Sequence, residues 1–143
     1  MVYFQKWKMV PGVVAILLFL CVFSDKDGLS RAVAADQLIL TSAVMCEDVR
    51  ERQPVNEGVL FSIAAGRVVC FTLFDPVPEK TYITHNWYNR DNLSTKIKLP
   101  LMPPRWTTYS AIQLRESDKG PWRVEITDSD GQILQILRFS VTE

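Results

Sequence analysis

The sequence predicts an all-β fold, namely an immunoglobulin-like antiparallel β-sandwich of about seven to eight strands preceded by an N-terminal hydrophobic leader helix. Beyond residue 35, apolar and polar residues alternate with a period of two in short segments rich in β-branched and aromatic side chains. Gly, Pro, Asp and Asn separate these segments, and none of them has a sustained helical period.

The N-terminus has the pattern of a secretory leader. Lys6 and Lys8 precede an uncharged run at 9–23, which as a helix of about 22 Å is shorter than the ~30 Å hydrocarbon core of a bilayer. Ala32-Val33-Ala34 forms a small-residue cleavage signal, although the charged stretch at 24–31 separates it from the apolar run. We therefore expect residues 1–34 to be either a cleaved signal peptide or an uncleaved signal anchor, and residues 35–143 to form one domain.

This leader predicts an extracytoplasmic location: periplasmic, secreted, or anchored to the inner membrane by residues 9–23. From Ala35 onward, 12 Lys and Arg stand against 14 Asp and Glu, a net charge of −2 without a basic stripe. Nucleic-acid binding is therefore not expected. Lys96 and Lys98 alternate with Ile97 and Leu99, which is typical of the solvated face of a strand.

Eight strands are predicted in the domain. They are Gln37 to Cys46, Val59 to Ala64, Arg67 to Phe74, Tyr82 to Tyr88, Thr95 to Met102, Thr107 to Leu114, Trp122 to Thr127 and Gln132 to Thr142. The last two form the clearest hairpin, with a turn at Asp128-Ser129-Asp130-Gly131. Ile133, Leu137, Phe139 and Val141 share one face of the returning strand while Leu134 and Ile136 share the other, which predicts that its first half is covered on both sides.

Two cysteines, Cys46 and Cys70, lie in the predicted domain. In an oxidising compartment such a pair is a candidate disulfide, whereas each is equally consistent with a small buried apolar side chain. Their separation in sequence does not show whether the Cα atoms come within bonding reach. No metal site is expected, because the chain has one histidine and no CxxC spacing.

Several short motifs together resemble a known bacterial family. They are Cys46-Glu47-Asp48, Phe61-Ser62, His85-Asn86-Trp87-Tyr88, Arg105 followed by Ser110, and Gly120-Pro121-Trp122-Arg123-Val124 continuing to Asp130-Gly131, Phe139 and Val141. Over nearly the whole mature chain this set resembles domain-of-unknown-function family 2914. The resemblance implies an envelope-associated β domain and carries no established activity, so it implies no catalytic residues.

His85 is the residue whose side chain has the most versatile chemistry. Alternation places it on the inner face of a strand with Ile83 and Trp87, where a histidine is commonly bound to backbone. A sharper hypothesis joins four residues into a shallow recognition site for an anionic or glycan-like group: His85, Trp87, Arg105 and Ser110. Arg105 follows two prolines and would offer a bidentate fork to such a group.

No catalytic set or cofactor motif is recognisable, and no Gly-x-Ser-x-Gly elbow accompanies Ser110. The sequence therefore predicts a non-enzymatic extracytoplasmic binding or interaction module without a cofactor, whose partner is an unknown envelope protein or a small ligand. Membrane contact is expected only through the N-terminal segment, if it is uncleaved. The alternative is a small-ligand or carbohydrate-binding sensor that uses the His85, Trp87 and Arg105 region.

Overall fold

Two β-sheets face each other in a computed structural model that describes residues 37–143. Its strands are β1 (Leu40–Arg50), β2 (Gln53–Glu57), β3 (Leu60–Ser62), β4 (Arg67–Phe74), β5 (Thr81–Asn89), β6 (Asn92–Leu101), β7 (Trp106–Gln113), β8 (Gly120–Thr127) and β9 (Ile133–Thr142). One sheet has the order β2-β1-β4-β7 and the other β3-β9-β8-β5-β6. The all-β sandwich predicted from the sequence is confirmed.

The leader helix, its cleavage and the domain boundary at residue 34 all lie outside the described residues. Within residues 37–143, no helix is long and apolar enough to cross a membrane. The helical structure of this part of the chain consists of two single 3₁₀ turns, at Ile63–Ala65 and Glu116–Asp118.

The described part of the chain contains nine strands rather than seven to eight. The additional strand is β2, which forms a hairpin with the second half of β1. Its turn residues, Glu51 and Arg52, both have positive φ, 49° and 60°, in a conformation for which Asn-Gly is the usual sequence. The predicted sheet was wholly antiparallel, whereas β3 pairs with β9 in parallel.

The core lies between the two sheets and follows the predicted alternation. Trp122, Val124 and Ile126 of β8 are buried, as are Ile83 and Trp87 of β5. Phe139 of β9 is the aromatic centre, because its ring contacts the rings of Phe61, Trp87 and Trp122 at centroid distances of 5.9–6.0 Å.

The first half of β9 is less covered than the sequence predicts. Ile133 and Ile136 are 52% and 40% exposed, although Leu134 and Leu137 pack against the core. The reason is that β3 pairs with β9 only at Ser140–Thr142, so that the rest of β9 is an edge.

The β1–β2 hairpin folds across the outer face of the four-stranded sheet. One end of this sheet is marked by three residues that lie opposite each other in the register, Leu40, Phe74 and Trp106. Towards the other end of the sheet, β1 stops pairing with β4 after Cys46. Nevertheless Glu51–Gln53 line the same cavity as Arg105–Thr107, and Val49 packs on an outer-face cluster of Cys46, Val69 and Phe71. The hairpin tip therefore reaches back towards the start of β7.

Candidate functional site

A buried polar cluster joins the two sheets. The Oγ of Ser110 on β7 lies 2.7 Å from Nδ1 of His85 on β5. The same oxygen accepts a hydrogen bond of 3.1 Å from Nε1 of Trp87, two residues along β5. His85 and Trp87 are fully buried and Ser110 is buried. The structure thus brings together three of the four residues in the predicted recognition site, and we call them the His85–Trp87–Ser110 cluster.

The hydrogen bonds of this cluster share one oxygen, the Oγ of Ser110. The indole N–H of Trp87 can only donate, so Ser110 Oγ accepts from it. Toward His85 the same hydroxyl either donates to a bare Nδ1, with the imidazole proton on Nε2, or accepts from Nδ1–H, with Nε2 bare. Within residues 37–143, Nε2 has no hydrogen-bond partner although it is buried.

Burial also determines the charge of His85. Desolvation lowers the pKa of His85 from 6.5 to about 4, since a buried imidazolium would lack water and a counter-ion. The imidazole is therefore neutral at neutral pH. Ser110 and His85 have the spacing of a nucleophile and its base, but both are sealed inside the sandwich.

Arg105 is not part of this cluster. It precedes β7 by one residue, and five residues along an extended strand, about 17 Å, separate it from Ser110. Its guanidinium lies on the surface, with Nε 3.7 Å from Oδ2 of Asp75. The predicted four-residue site is therefore divided between the core and the surface.

Arg105 instead lines a surface cavity of about 440 Å³, which we call the arginine cleft. Its lining residues are Glu51, Arg52, Gln53, Arg105, Trp106 and Thr107. The hairpin tip supplies one wall and the start of β7 supplies the other. Sequence reasoning missed Arg52 and its neighbours, because Glu51-Arg52 carries no turn signal that would reveal a hairpin.

A second surface cavity, of about 340 Å³, lies where the two sheets both have open edges. It is lined by Ala43, Val44, Met45, Glu57, Gly58, Val59, Leu137 and Arg138, and we call it the edge groove. Among the described residues, Leu40–Val44 of β1 pair only with β4, and Ile133–Phe139 of β9 pair only with β8. Val59 is 65% exposed and the adjacent Leu60 is 68% exposed.

Cys46 and Cys70 are free, and both are buried. On the β1–β4 ladder Cys46 is opposite Val69, while Cys70 is opposite Met45. Because neighbouring residues on a strand point to opposite faces, Cys46 joins the outer-face cluster and Cys70 joins the core between the sheets. This geometry separates the thiols of the candidate disulfide. Burial raises the pKa of both.

Tyr109 and Tyr88 differ in their exposure. Tyr109 is half exposed, whereas Tyr88 is covered in part by the guanidinium of Arg123, 4.1 Å from the ring centroid. Within residues 37–143 no group of three or more His, Cys, Asp and Glu side chains has the arrangement of a metal site. The turn at Asp128–Gly131 is a hairpin turn in which Asp128 Oδ1 accepts from the backbone N–H groups of Asp130 and Gln132.

A family model matches the part of the chain that contains the buried cluster, from residue 80 to residue 141. The model is that of the DUF2914 family. This family is described as a protein of unknown function. The match confirms the resemblance over that segment, while the motifs at Cys46-Glu47-Asp48 and Phe61-Ser62 lie before it. No curated protein matches the chain.

The DUF2914 segment contains β5 to β9 almost completely, and with them His85, Trp87, Arg105 and Ser110. The wall of the arginine cleft formed by Glu51–Gln53 lies outside the segment, as does the β1 side of the edge groove. Both surface cavities are therefore assembled from the DUF2914 segment and the strands that precede it.

Proposed function

We propose that the protein is an extracytoplasmic, non-enzymatic interaction module that binds an extended, apolar segment of a partner protein of the cell envelope. The observation that carries this proposal is the edge groove. Two strand edges that are unpaired among the described residues, Leu40–Val44 and Ile133–Phe139, flank it. Val59 lines the groove and is 65% exposed, and the adjacent Leu60 is 68% exposed.

Open strand edges favour a polypeptide over other ligands. Each edge offers backbone N–H and C=O groups at a repeat of about 6.6–6.8 Å, and another extended backbone matches that repeat. The lining of the groove favours apolar side chains at alternate positions of the bound segment, because five of its eight lining residues are apolar: Ala43, Val44, Met45, Val59 and Leu137. Glu57 and Arg138 add one charge of each sign at its border.

The immunoglobulin-like assignment is part of the same proposal. It is supported by the order β9-β8-β5-β6 facing β1-β4-β7, in which the chain crosses between sheets after β4, after β6 and after β7. Support also comes from the buried Trp87 on β5 and from the short β3 that runs parallel to the last strand.

The inaccessibility of the His85–Trp87–Ser110 cluster supports a non-enzymatic role. The single histidine of the chain is fully buried, so a substrate cannot reach it while the sandwich is closed. The cluster instead links β5 of one sheet to β7 of the other, and hydrogen bonds inside a core help to specify how two sheets align.

The proposed location depends on the N-terminal sequence. Lys6 and Lys8 before the apolar run at 9–23 support export, and an uncleaved leader would hold the domain at the membrane. The absence of a basic stripe in residues 35–143 supports a protein partner over nucleic acid.

The test places a photo-reactive amino acid at Val59 in the tagged full-length protein and maps the cross-linked peptides by mass spectrometry. We expect one envelope protein to be captured through a short apolar segment. A synthetic peptide of that segment should bind the purified protein, and Val59→Lys should weaken its binding at least tenfold.

Leu93 supplies the matched control, because it is also an exposed apolar residue but lies on β6. The photo-reactive group at Leu93 should not capture the same segment, and Leu93→Lys should leave peptide binding unchanged. Equal capture from both positions, or a peptide that binds Val59→Lys normally, would exclude the edge groove as the docking site.

A small-ligand sensor is the second candidate function, and the arginine cleft is the observation that favours it. The predicted site around His85 and Trp87 has no open surface, whereas Arg105 lines a cavity of about 440 Å³, within the 300–1,000 Å³ range of ligand pockets. A sensor function would therefore use the hairpin tip and the start of β7.

A further inference from the structure

Both arginines of the arginine cleft lack hydrogen-bond partners in the described part of the chain. Arg105 approaches Asp75 only at 3.7 Å, beyond hydrogen-bond distance, and the guanidinium of Arg52 has neither a hydrogen bond nor an ion pair within residues 37–143. Elsewhere on the domain, Arg67 and Arg123 donate to carboxylates and Arg90 donates to a backbone carbonyl. In the cleft, then, Arg105 is ion-paired with Asp75 but donates no hydrogen bond, and Arg52 has neither kind of partner among residues 37–143.

The arrangement brings these donors together from two separate elements. Arg52 is at the tip of the β1–β2 hairpin and Arg105 is at the start of β7, and the two walls are joined by the fold of the hairpin across the outer face. The side chains of Gln53 and Thr107 add neutral hydrogen-bonding groups, while Glu51 is the carboxylate among the lining residues. The lining therefore carries a net positive charge.

The backbone at Arg52 supports a specific use of its side chain. A non-glycine residue at φ 60° is unfavourable relative to glycine, and Glu51 beside it has φ 49°. Arg at this position lines the cleft at a cost in local backbone energy relative to Gly. Such backbone outliers occur preferentially at binding sites.

We propose that the arginine cleft binds a small polar molecule that carries an oxyanion, either a carboxylate or a phosphate, held between the guanidinium groups of Arg52 and Arg105. Guanidinium groups bind both kinds of oxyanion through paired N–H donors. The cavity of about 440 Å³ exceeds the needs of a bare ion and has room for a sugar-sized body that Gln53, Thr107 and Glu51 can contact. This inference develops the small-ligand candidate and is independent of the edge groove.

The test titrates the full-length protein with glucuronate, glucose 6-phosphate and glucose, followed by calorimetry. We expect at least one of the two acidic sugars to bind and glucose to bind at least tenfold more weakly. Preference for one acidic sugar identifies the carboxylate or the phosphate as the source of the oxyanion. Failure of both acidic sugars to bind at millimolar concentration, or binding of glucose with equal affinity, overturns the proposal.

Variants connect the binding to the two arginines. Arg52→Gln and Arg105→Gln should each weaken binding about tenfold or more, since each removes charged hydrogen bonds to the anion. Arg105→Lys keeps the positive charge but loses the paired N–H donors of the guanidinium, and should give a smaller loss of affinity than Arg105→Gln. Arg115→Gln is the matched control, because Arg115 is exposed beyond the opposite end of β7.

Thermal melting must show that each variant is folded, and cross-linking from Val59 should be unchanged in all of them. Wild-type affinity in both Gln variants overturns the assignment of the site. Loss of cross-linking from Val59 with sugar binding intact would instead contradict the partner proposal alone, so the failures of the two proposals are distinguishable.

Discussion

The Oγ of Ser110 and the Nδ1 of His85 are 2.7 Å apart and belong to different sheets, so the hydrogen bond between them joins the two layers of the sandwich inside the core. Trp87 donates to the same oxygen across the same boundary, which makes Ser110 the shared partner of two β5 side chains. Removing that shared oxygen leaves both β5 side chains without this partner in a low-dielectric core, where unpaired polar groups are costly.

Ser110→Ala should therefore destabilise the fold by about 2 kcal/mol, because it leaves the indole N–H of Trp87 and the imidazole of His85 buried without a partner. Urea denaturation measures this loss as a lower midpoint. Ser94→Ala, at an exposed serine on β6, is the control and should change stability little. A loss below about 0.5 kcal/mol for Ser110→Ala would show that the link contributes little.

The stability of the domain should fall as the pH decreases from 7 to 5. The pKa of His85 is lowered to about 4 in the folded protein, against 6.5 for an unperturbed histidine, so the unfolded chain takes up the proton first. The contribution of neutral His85 to the free energy of unfolding is thus fully present above pH 6.5. It is lost progressively as the pH falls from 6.5 to about 4. The expected loss between pH 7 and pH 5 is about 2 kcal/mol.

Denaturation midpoints at pH 7, 6 and 5 provide the measurement for this pH effect. His85→Gln, if folded, should lose the dependence in that window. The backbone N–H of Val49 and then Arg50 and Arg67 hold the pKa of the Asp48 carboxyl below its ordinary value, so Asp48 does not titrate in this window. Equal stability at pH 7 and pH 5 would contradict a neutral, desolvated His85.

Cys46 and Cys70 should resist alkylation in the folded protein. Both thiols are buried, and burial raises the pKa of each, so that little thiolate is present and little reagent reaches it. Iodoacetamide should label both sites only in denaturant, and peptide mapping by mass spectrometry distinguishes them from Cys21. A disulfide between the two in protein isolated under non-reducing conditions would contradict the opposite orientation of their side chains.

Arg52→Gly should stabilise the domain by about 0.5–1 kcal/mol, because glycine adopts the positive φ of this turn position without a steric penalty. The same variant should lose binding of the acidic sugars. Increased stability together with weaker binding would show that the arginine is maintained for recognition. Decreased stability would indicate that its side chain supports the hairpin instead.

The sequence was sufficient to predict the sandwich because most strands have one buried and one solvated face. β5 and β8 show this most clearly: Ile83 and Trp87 are inward, as are Trp122, Val124 and Ile126. The β1–β2 hairpin was not predictable in this way. Its strands are charged, Pro54 interrupts the second, and Glu51-Arg52 is not a usual turn pair.

The candidate site was predictable only in its buried part. Alternation placed His85 and Trp87 on one inner face, and Ser110 was correctly grouped with them. Arg105 was grouped with the same residues because it is only five residues from Ser110 in sequence. In an extended strand, however, five residues span about 17 Å, which separates Arg105 from the buried cluster. Arg52 joins Arg105 through a fold-back of the hairpin, and the sequence contains no signal for such a tertiary contact.

The edges of β1 and β9 that have no partner strand within residues 37–143 have a consequence for handling the isolated protein. Exposed, uncharged strand edges can pair with the strand edges of other molecules. On β6, Lys96, Lys98 and Pro100 disfavour such pairing, whereas Ile133–Leu137 of β9 contain neither a charged residue nor a proline. Purified without the proposed partner, the protein should therefore become colloidally unstable as its concentration rises, and a peptide that occupies the edge groove would act as its solubiliser.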